Sequence, residues 1–206
     1  MDPARARQLI AFFAFADRLK HVERRGRTIS PDGRARQENA AEHGWHLALF
    51  ALMLRHDIAE KVDLARVFSM LAVHDLVEIE AGDTFAYDLV HAESQGAREA
   101  LAAANIIAML PGDLAADFSS LWHEFEAGET PEARFAMGCD RAQGFFQQVI
   151  SGAEAWKAAG ITRAQSLRRM QPAIDAGPAF ATLINELYDM AEADGLFRAD
   201  TLPAAG

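Results

Sequence analysis

Apolar residues recur along this chain at intervals of three and four, the spacing that aligns one face of a helix. No stretch alternates residue by residue in the manner of a half-buried strand. The pattern predicts a first helix from Pro3 to about Arg24, with Leu9, Phe12, Phe13 and Ala16 on one stripe and Pro3 suited to the first turn. A polar loop follows over 26–36 and contains Ser30-Pro31-Asp32-Gly33. Asn39 reads as an N-cap with Glu42 as its capping-box partner, opening a second helix that runs to about Arg55. Asp63 caps a third helix, in which Val67, Met70, Leu71 and His74 share one face and which ends near Gly82. After a loop over 83–88, helices are expected over about 91–109, stopped by Pro111-Gly112, and over about 113–127, stopped by Gly128. Thr130-Pro131-Glu132 gives a cap, a first-turn proline and an early acid for a sixth helix reaching about Ser151. Thr162 with Gln165 opens a seventh, and Pro178 opens an eighth that ends near Asp194. The expected fold is all-α: a helical bundle of about eight helices in one domain over 1–195, with a loose tail over 196–206.

Composition narrows the class. A chain of 206 residues buries enough surface to fold without crosslinks. The single cysteine, Cys139, excludes an internal disulfide and fits a reducing compartment. No secretory leader pattern is present, and apolar runs such as Leu47 to Leu54 are too short to span a bilayer, so a cytoplasmic location and no membrane partner are expected. The net charge of −10, with no basic block beyond residue 36, argues against a nucleic acid duplex as partner. It leaves room for a small phosphorylated ligand, because one metal ion and a few arginines make a local positive site on an acidic protein. Arg18, Lys20, Arg24, Arg25, Arg27, Arg34 and Arg36 concentrate positive charge early in the chain, either as a solvated basic segment or as part of such a site.

The dipeptide His-Asp occurs twice. His56-Asp57 falls at a helix end, where a histidine suits the negative pole of the dipole. His74-Asp75 falls inside an apolar helix, where an ionisable pair needs a partner. The alternatives there are a core histidine bonded to a carbonyl and a metal ligand. Glu78 lies one helical turn beyond His74, on its side of the helix. Gly82-Asp83 brings a further carboxylate, His43 stands in the first turn of the second helix, and Asp140 stands among Met137, Phe145 and Phe146. His46 reads as a packed residue beside Trp45. His91 and His123 lack acidic neighbours at ligand spacing, and Cys139 reads as a small buried residue.

The segments Arg36-Gln37-Glu38-Asn39-Ala40-Ala41-Glu42-His43, His74-Asp75-Leu76-Val77-Glu78, Gly82-Asp83 and Cys139-Asp140-Arg141-Ala142-Gln143, taken in this order, resemble the HD-domain metal-dependent phosphohydrolases. More narrowly they resemble the branch that holds the 5′-deoxynucleotidases, over about 9–195. The resemblance implies His43, His74, Asp75 and Asp140 as ligands of one divalent metal ion, a donor set that suits Mn, Co, Fe or Zn, with Mg also open. It implies Glu78 as general base, Asp83 as partner of a substrate hydroxyl, and Arg24 as the phosphate-binding arginine, whose planar fork matches a phosphate. Arg36 or Arg34, carried on the loop, would bring a further cation to the substrate. The implied reaction is hydrolysis of a phosphomonoester, a nucleoside 5′-monophosphate or similar small phosphate, by water activated at the metal. A nucleotide-binding or regulatory protein without turnover and an HD-type phosphodiesterase or pyrophosphohydrolase are the alternatives. A homodimer is also implied, its surface supplied by the Phe-rich first helix or by the last one. One position departs from the pattern. Arg25 stands where the bacterial nucleotidases carry a tryptophan that helps select deoxyribose, so the sugar preference is left open.

Overall fold

The computed structural model describes residues 1–199, with backbone alone at 89, 90 and 92. Residues 200–206 of the expected tail lie outside the described residues. The chain opens with α1 (Pro3–Ala16), whose N-cap Asp2 accepts from the backbone N–H groups of Ala4 and Arg5. The helix is shorter than the pattern predicted. A 3₁₀ turn over Asp17–His21 follows, and the chain then extends into β1 (Glu23–Ile29), which pairs antiparallel with β2 (Ala35–Asn39). The loop expected over 26–36 is therefore a hairpin, turned at Ser30 to Gly33, where Gly33 takes φ +81°. Its strands escape a periodicity search because the register is broken. Glu23 faces Asn39 and Arg27 faces Gln37, so β1 carries an irregularity over Arg24, Arg25 and Gly26 that destroys the alternation.

Val22 accepts the backbone N–H of Ala40 and so joins the hairpin to α2 (Ala40–Leu54). The predicted capping box forms. Asn39 Oδ1 accepts from Glu42 N at 3.0 Å, and Glu42 Oε2 accepts from Asn39 N at 3.2 Å. Asp63 caps α3 (Leu64–Val73) as expected, but that helix does not continue to Gly82. It tightens into a 3₁₀ turn over His74–Val77 and resumes as the short α4 (Glu78–Ala81), ended by Gly82 at φ +76°.

The remaining helices are α5 (Leu89–Met109), α6 (Gly112–Ala127), α7 (Pro131–Ile150), α8 (Glu154–Ala159), α9 (Arg163–Asp175) and α10 (Pro178–Ala193). The caps read from the sequence at Thr130 and Thr162 are both formed. The short α8 has no sequence signal. It starts after Ala153 at φ +53° and ends at Gly160 at φ +63°.

Helix α7 is the axis of the molecule, in contact with α2, α3, α6, α9 and α10. Phe135, Ala136, Cys139, Ala142, Phe145 and Val149 on it are all buried in the larger core. A second core gathers Phe15, Leu76, Val77, Ile106, Phe118 and Trp122. The His74–Val77 turn joins the two, since Leu71 belongs to the first core and Leu76 and Val77 to the second. The chain beyond 195 is not loose at its start. Leu196 is buried, Phe197 stacks on Trp156 at 5.1 Å, and Arg198 N donates to Ile161 O at 2.8 Å. Ile10 and Phe13 of α1 and Met190 of α10 are exposed, and so are Trp45 and Met53 of α2.

Gly138 lets α10 approach α7. A Cβ there would lie 2.5 Å from the Phe180 ring, which is itself fully buried. Gly138→Ala should cost about 1–3 kcal/mol, the usual penalty for overpacking a tight core. Urea unfolding checks this: the midpoint falls while the slope stays unchanged.

Candidate metal centre and its cavity

The first turn of α2 carries His43, which is wholly buried. The capping box fixes that helix end and so sets the direction of the imidazole. The 3₁₀ turn carries His74 and Asp75, and α7 carries Asp140. Ligand atoms of His43, His74 and Asp75 lie within 4.8 Å of one another. Asp140 joins through His43, whose Nε2 is 3.0 Å from Asp140 Oδ1 and 3.8 Å from Asp75 Oδ2. The four residues expected to meet are thus brought together from three elements.

The 3₁₀ turn changes which residues share a side. In an α-helix Glu78 would stack over His74, four positions back. At three residues per turn, positions i and i+3 eclipse, so Glu78 aligns with Asp75. Both face Arg24, delivered by the irregular part of β1. The Arg24 Nη1 is 3.3 Å from Asp75 Oδ2 and 4.0 Å from Glu78 Oε2, and its Nε is 3.8 Å from Glu38 Oε2. Asp83, just past Gly82, lines the same cavity, and its carboxylate accepts the Arg25 backbone N–H.

Hydrogen bonds behind the ring nitrogens set the tautomers. His74 Nδ1 lies 3.1 Å from the carbonyl oxygen of Leu71, which can only accept, so Nδ1 carries the proton. For His43 the same result follows through two steps. Gln143 Nε2 donates to Glu38 Oε1 at 2.9 Å, which turns the amide oxygen toward His43 Nδ1 at 2.6 Å. His43 Nδ1 therefore donates, and both rings turn an unprotonated Nε2 inward. His74 Nε2 is buried and has no hydrogen-bond partner, although Asp75 Oδ1 stands 3.0 Å away. Two bare nitrogens facing carboxylate oxygens at such separations repel unless positive charge lies among them. The donor set therefore fits a divalent cation, held by two imidazoles that each have an oriented partner behind them.

The charges are unequally shared. Burial works to raise Asp140 and Asp75; where a proton instead of a metal ion stands on the inward nitrogens, the hydrogen bond from His43 holds Asp140 well below the usual carboxylate range, and His74 does the same for Asp75. Burial, reinforced by the charge of Asp75, raises Glu78 well above its ordinary value against the pull of Arg24. Asp83 is raised for the same first reason. Burial opposes the charge on Arg24, but Asp75, Glu78 and Asp140 outweigh it and the guanidinium stays charged.

Arg36 is not brought to the centre. It is exposed and makes a two-pronged pair with Glu42 at 2.6 and 2.8 Å, since the strand pairing turns it toward the start of α2. Arg34 is exposed beside Asp32 at the hairpin turn. His46 packs among Trp45, Phe50 and Phe146; His56 is exposed; His91 pairs with Asp88; His123 bonds to Ser119. Cys139 is fully buried, and burial pushes its thiol far up, which leaves it inert. Glu38 and Gln143 were not anticipated. Gln143 was legible in principle, because it stands three residues beyond Asp140 and so faces the same way on α7. Glu38 carried no signal until the hairpin was known.

Gln143→Leu removes the acceptor behind His43 while preserving bulk. Divalent metal affinity, measured by competition with a chelator, should fall about tenfold to a hundredfold, the usual cost of losing a partner behind a ligating histidine. Circular dichroism should show the helical content retained.

A family model described as the HD domain matches residues 16–181. The human 5′-deoxynucleotidase HDDC2 is 29% identical over 145 residues, covering 69% of this chain and 67% of that protein. The 5′-deoxynucleotidase hdd1 of Schizosaccharomyces pombe is 26% identical over 145 residues, covering 68% and 71%. The crystal structure of a protein described as a predicted metal-dependent phosphohydrolase from Magnetospirillum magnetotacticum MS-1 superposes with a TM-score of 0.83 at 38% identity, over 95% of this chain and 96% of that one. The PH0347 protein from Pyrococcus horikoshii OT3 shares the fold at 19% identity, with a TM-score of 0.62 over 89% and 98%. With a family match that takes in the hairpin, the 3₁₀ turn and most of the helices that frame the centre, the chain belongs to the HD-domain family.

Proposed function

We propose that this protein is a metal-dependent phosphomonoesterase acting on nucleoside 5′-monophosphates or similar small phosphates. The observation that carries the reading is the grouping of His43, His74 and Asp75 with Asp140 beside His43, and with His74 Nε2 buried and without a hydrogen-bond partner. That group opens on a cavity of about 300 Å³ walled by Arg24, Glu78 and Asp83, a volume at the small end of the range for ligand pockets. Relatives named as 5′-deoxynucleotidases and a structural neighbour described as a metal-dependent phosphohydrolase support the same chemistry.

The four donors would hold the divalent ion, which supplies Lewis acidity: it eases the loss of a proton from water and draws charge from a phosphoryl oxygen. Arg24, which lines the same cavity, would bind the phosphoryl group with a guanidinium already oriented by Asp75 and Glu38. Glu78 accepts the proton of the attacking water. Burial raises its pKa, which makes its carboxylate a stronger base for that proton. Its Oε2 has no hydrogen-bond partner in the buried state and is free for that role. Asp83 holds a hydroxyl of the alcohol part of the substrate. The products are that alcohol and inorganic phosphate. Two copies of the chain associate as a homodimer in this proposal; light scattering at the mass of two chains is the expected result, and the mass of one chain removes that element.

Phosphate release from a panel of mononucleotides and sugar phosphates, repeated with Mn²⁺, Co²⁺, Mg²⁺ and Zn²⁺, tests the activity. Glu78→Gln should retain metal and lose turnover by about a hundredfold to ten-thousandfold, the range for removal of a general base. Retained metal with unchanged turnover would exclude Glu78 as the base. Tight nucleotide binding with no phosphate released under any metal would favour a regulatory binding protein instead.

A further inference from the structure

The cavity beside the metal centre has three arginines that its chemistry does not yet use. Arg25 on β1, Arg141 on α7 and Arg169 on α9 all line it. Arg24, by contrast, already faces carboxylates of Glu38, Asp75 and Glu78. Among the described residues, none of the three lining arginines makes an ion pair within 4.0 Å. Arg141 Nη1 donates to the backbone oxygen of Arg169 at 2.8 Å, which ties the Arg141 side chain to α9. Two guanidinium groups without a carboxylate partner on one wall suit an anionic ligand, which they can hydrogen-bond.

Of the other aromatic residues in that wall, Phe85 and Tyr87 pack edge-on against each other at 5.4 Å, and Phe125 packs on His74 at 4.7 Å. Trp156 lines the cavity, but one face is covered by Phe145 at 5.2 Å and the other by Phe197 at 5.1 Å, with interplanar angles of 28° and 14°. Gln147 and Gln148 are committed to the backbone oxygens of Arg27 and Arg25. The acidic part of the lining, Glu99 and Glu126, comes from α5 and α6 and acts on His74 and Asp75, not on Arg141. The cavity wall thus carries Glu99 and Glu126 from α5 and α6, and guanidinium groups with no ion pair from β1, α7 and α9.

We infer that the substrate carries, besides the phosphoryl group at the metal centre, a second anionic group, phosphate or carboxylate, held by Arg141 and Arg169 with Arg25 at the edge. This inference rests on the phosphomonoesterase reading for the placement of the first group. It also gives Arg25 a role: a charged recognition group in the position where the resembled nucleotidases carry tryptophan.

The test is calorimetric binding to the Mn²⁺-loaded Glu78→Gln protein, which should not turn substrate over. One set of probes is glucose 6-phosphate, glucose 1,6-bisphosphate and 6-phosphogluconate; a second is adenosine 5′-monophosphate and adenosine 3′,5′-bisphosphate. The partner with two anionic groups in either set should bind about tenfold to a hundredfold more tightly than its monophosphate, the worth of one or two hydrogen bonds between charged groups. Bisphosphate against phosphogluconate shows whether the second group is phosphate or carboxylate. Arg169→Gln, at an exposed position, should abolish most of that preference and leave monophosphate affinity unchanged; Arg141→Gln should do the same. Equal affinities within both sets, or a preference that survives both substitutions, would overturn the inference. A preference that depends on the arginines in a protein that hydrolyses nothing would retain the anion site and remove the hydrolase reading; hydrolysis without preference would do the reverse.

Discussion

Everything in this molecule is arranged around one electrostatic problem: several carboxylates and two neutral imidazoles are stripped of water at a single point. Burying such groups without compensating charge is among the most costly arrangements available to a folded chain. Compensation comes from two sources. Arg24 is delivered by the hairpin and reaches Asp75 and Glu78. A divalent cation fits where the inward nitrogens of His43 and His74 meet the carboxylate of Asp75, with Asp140 beside His43. The cation is thus expected to contribute to folding as well as to chemistry, since binding free energy at a preformed site adds to the stability of the folded state.

Two departures from regular helix make that convergence possible. The tightened turn after α3 puts Asp75 and Glu78 in line and leaves His74 pointing elsewhere, so adjacent residues serve different partners. The irregularity in β1 sets successive arginines free of strict alternation, so that Arg24 and Arg25 both reach the cavity. Around these two local exceptions the packing is ordinary. Helix α7 fills the larger core with one face and presents Asp140 and Gln143 with another.

Those same exceptions mark the limit of what the sequence made legible. Helix starts with a side-chain cap and a following apolar stripe, at Asn39, Asp63, Thr130 and Thr162, were read correctly, because cap chemistry is local. The metal-binding candidates were legible through their spacing and through a family resemblance, and the structure brings them together. The hairpin was not, because its broken register leaves no period to detect. The short α8 lacks a side-chain cap at its start. Arg36 was misplaced because its destination depends on strand pairing, which sequence separation cannot reveal. Glu38 and Gln143 illustrate the same limit. Their roles exist only once β2, α2 and α7 are side by side, and no short motif encodes a three-element relay.

The stacking of Phe197 on Trp156 has a consequence for the far end of the chain. That ring closes an indole face within the wall of the reaction chamber, and Arg198 is hydrogen-bonded to Ile161 behind it. The carboxy-terminal segment therefore acts as a clasp on the chamber from outside. Trimming the chain before Leu196 would strip the indole of that stacking partner and leave its face to water.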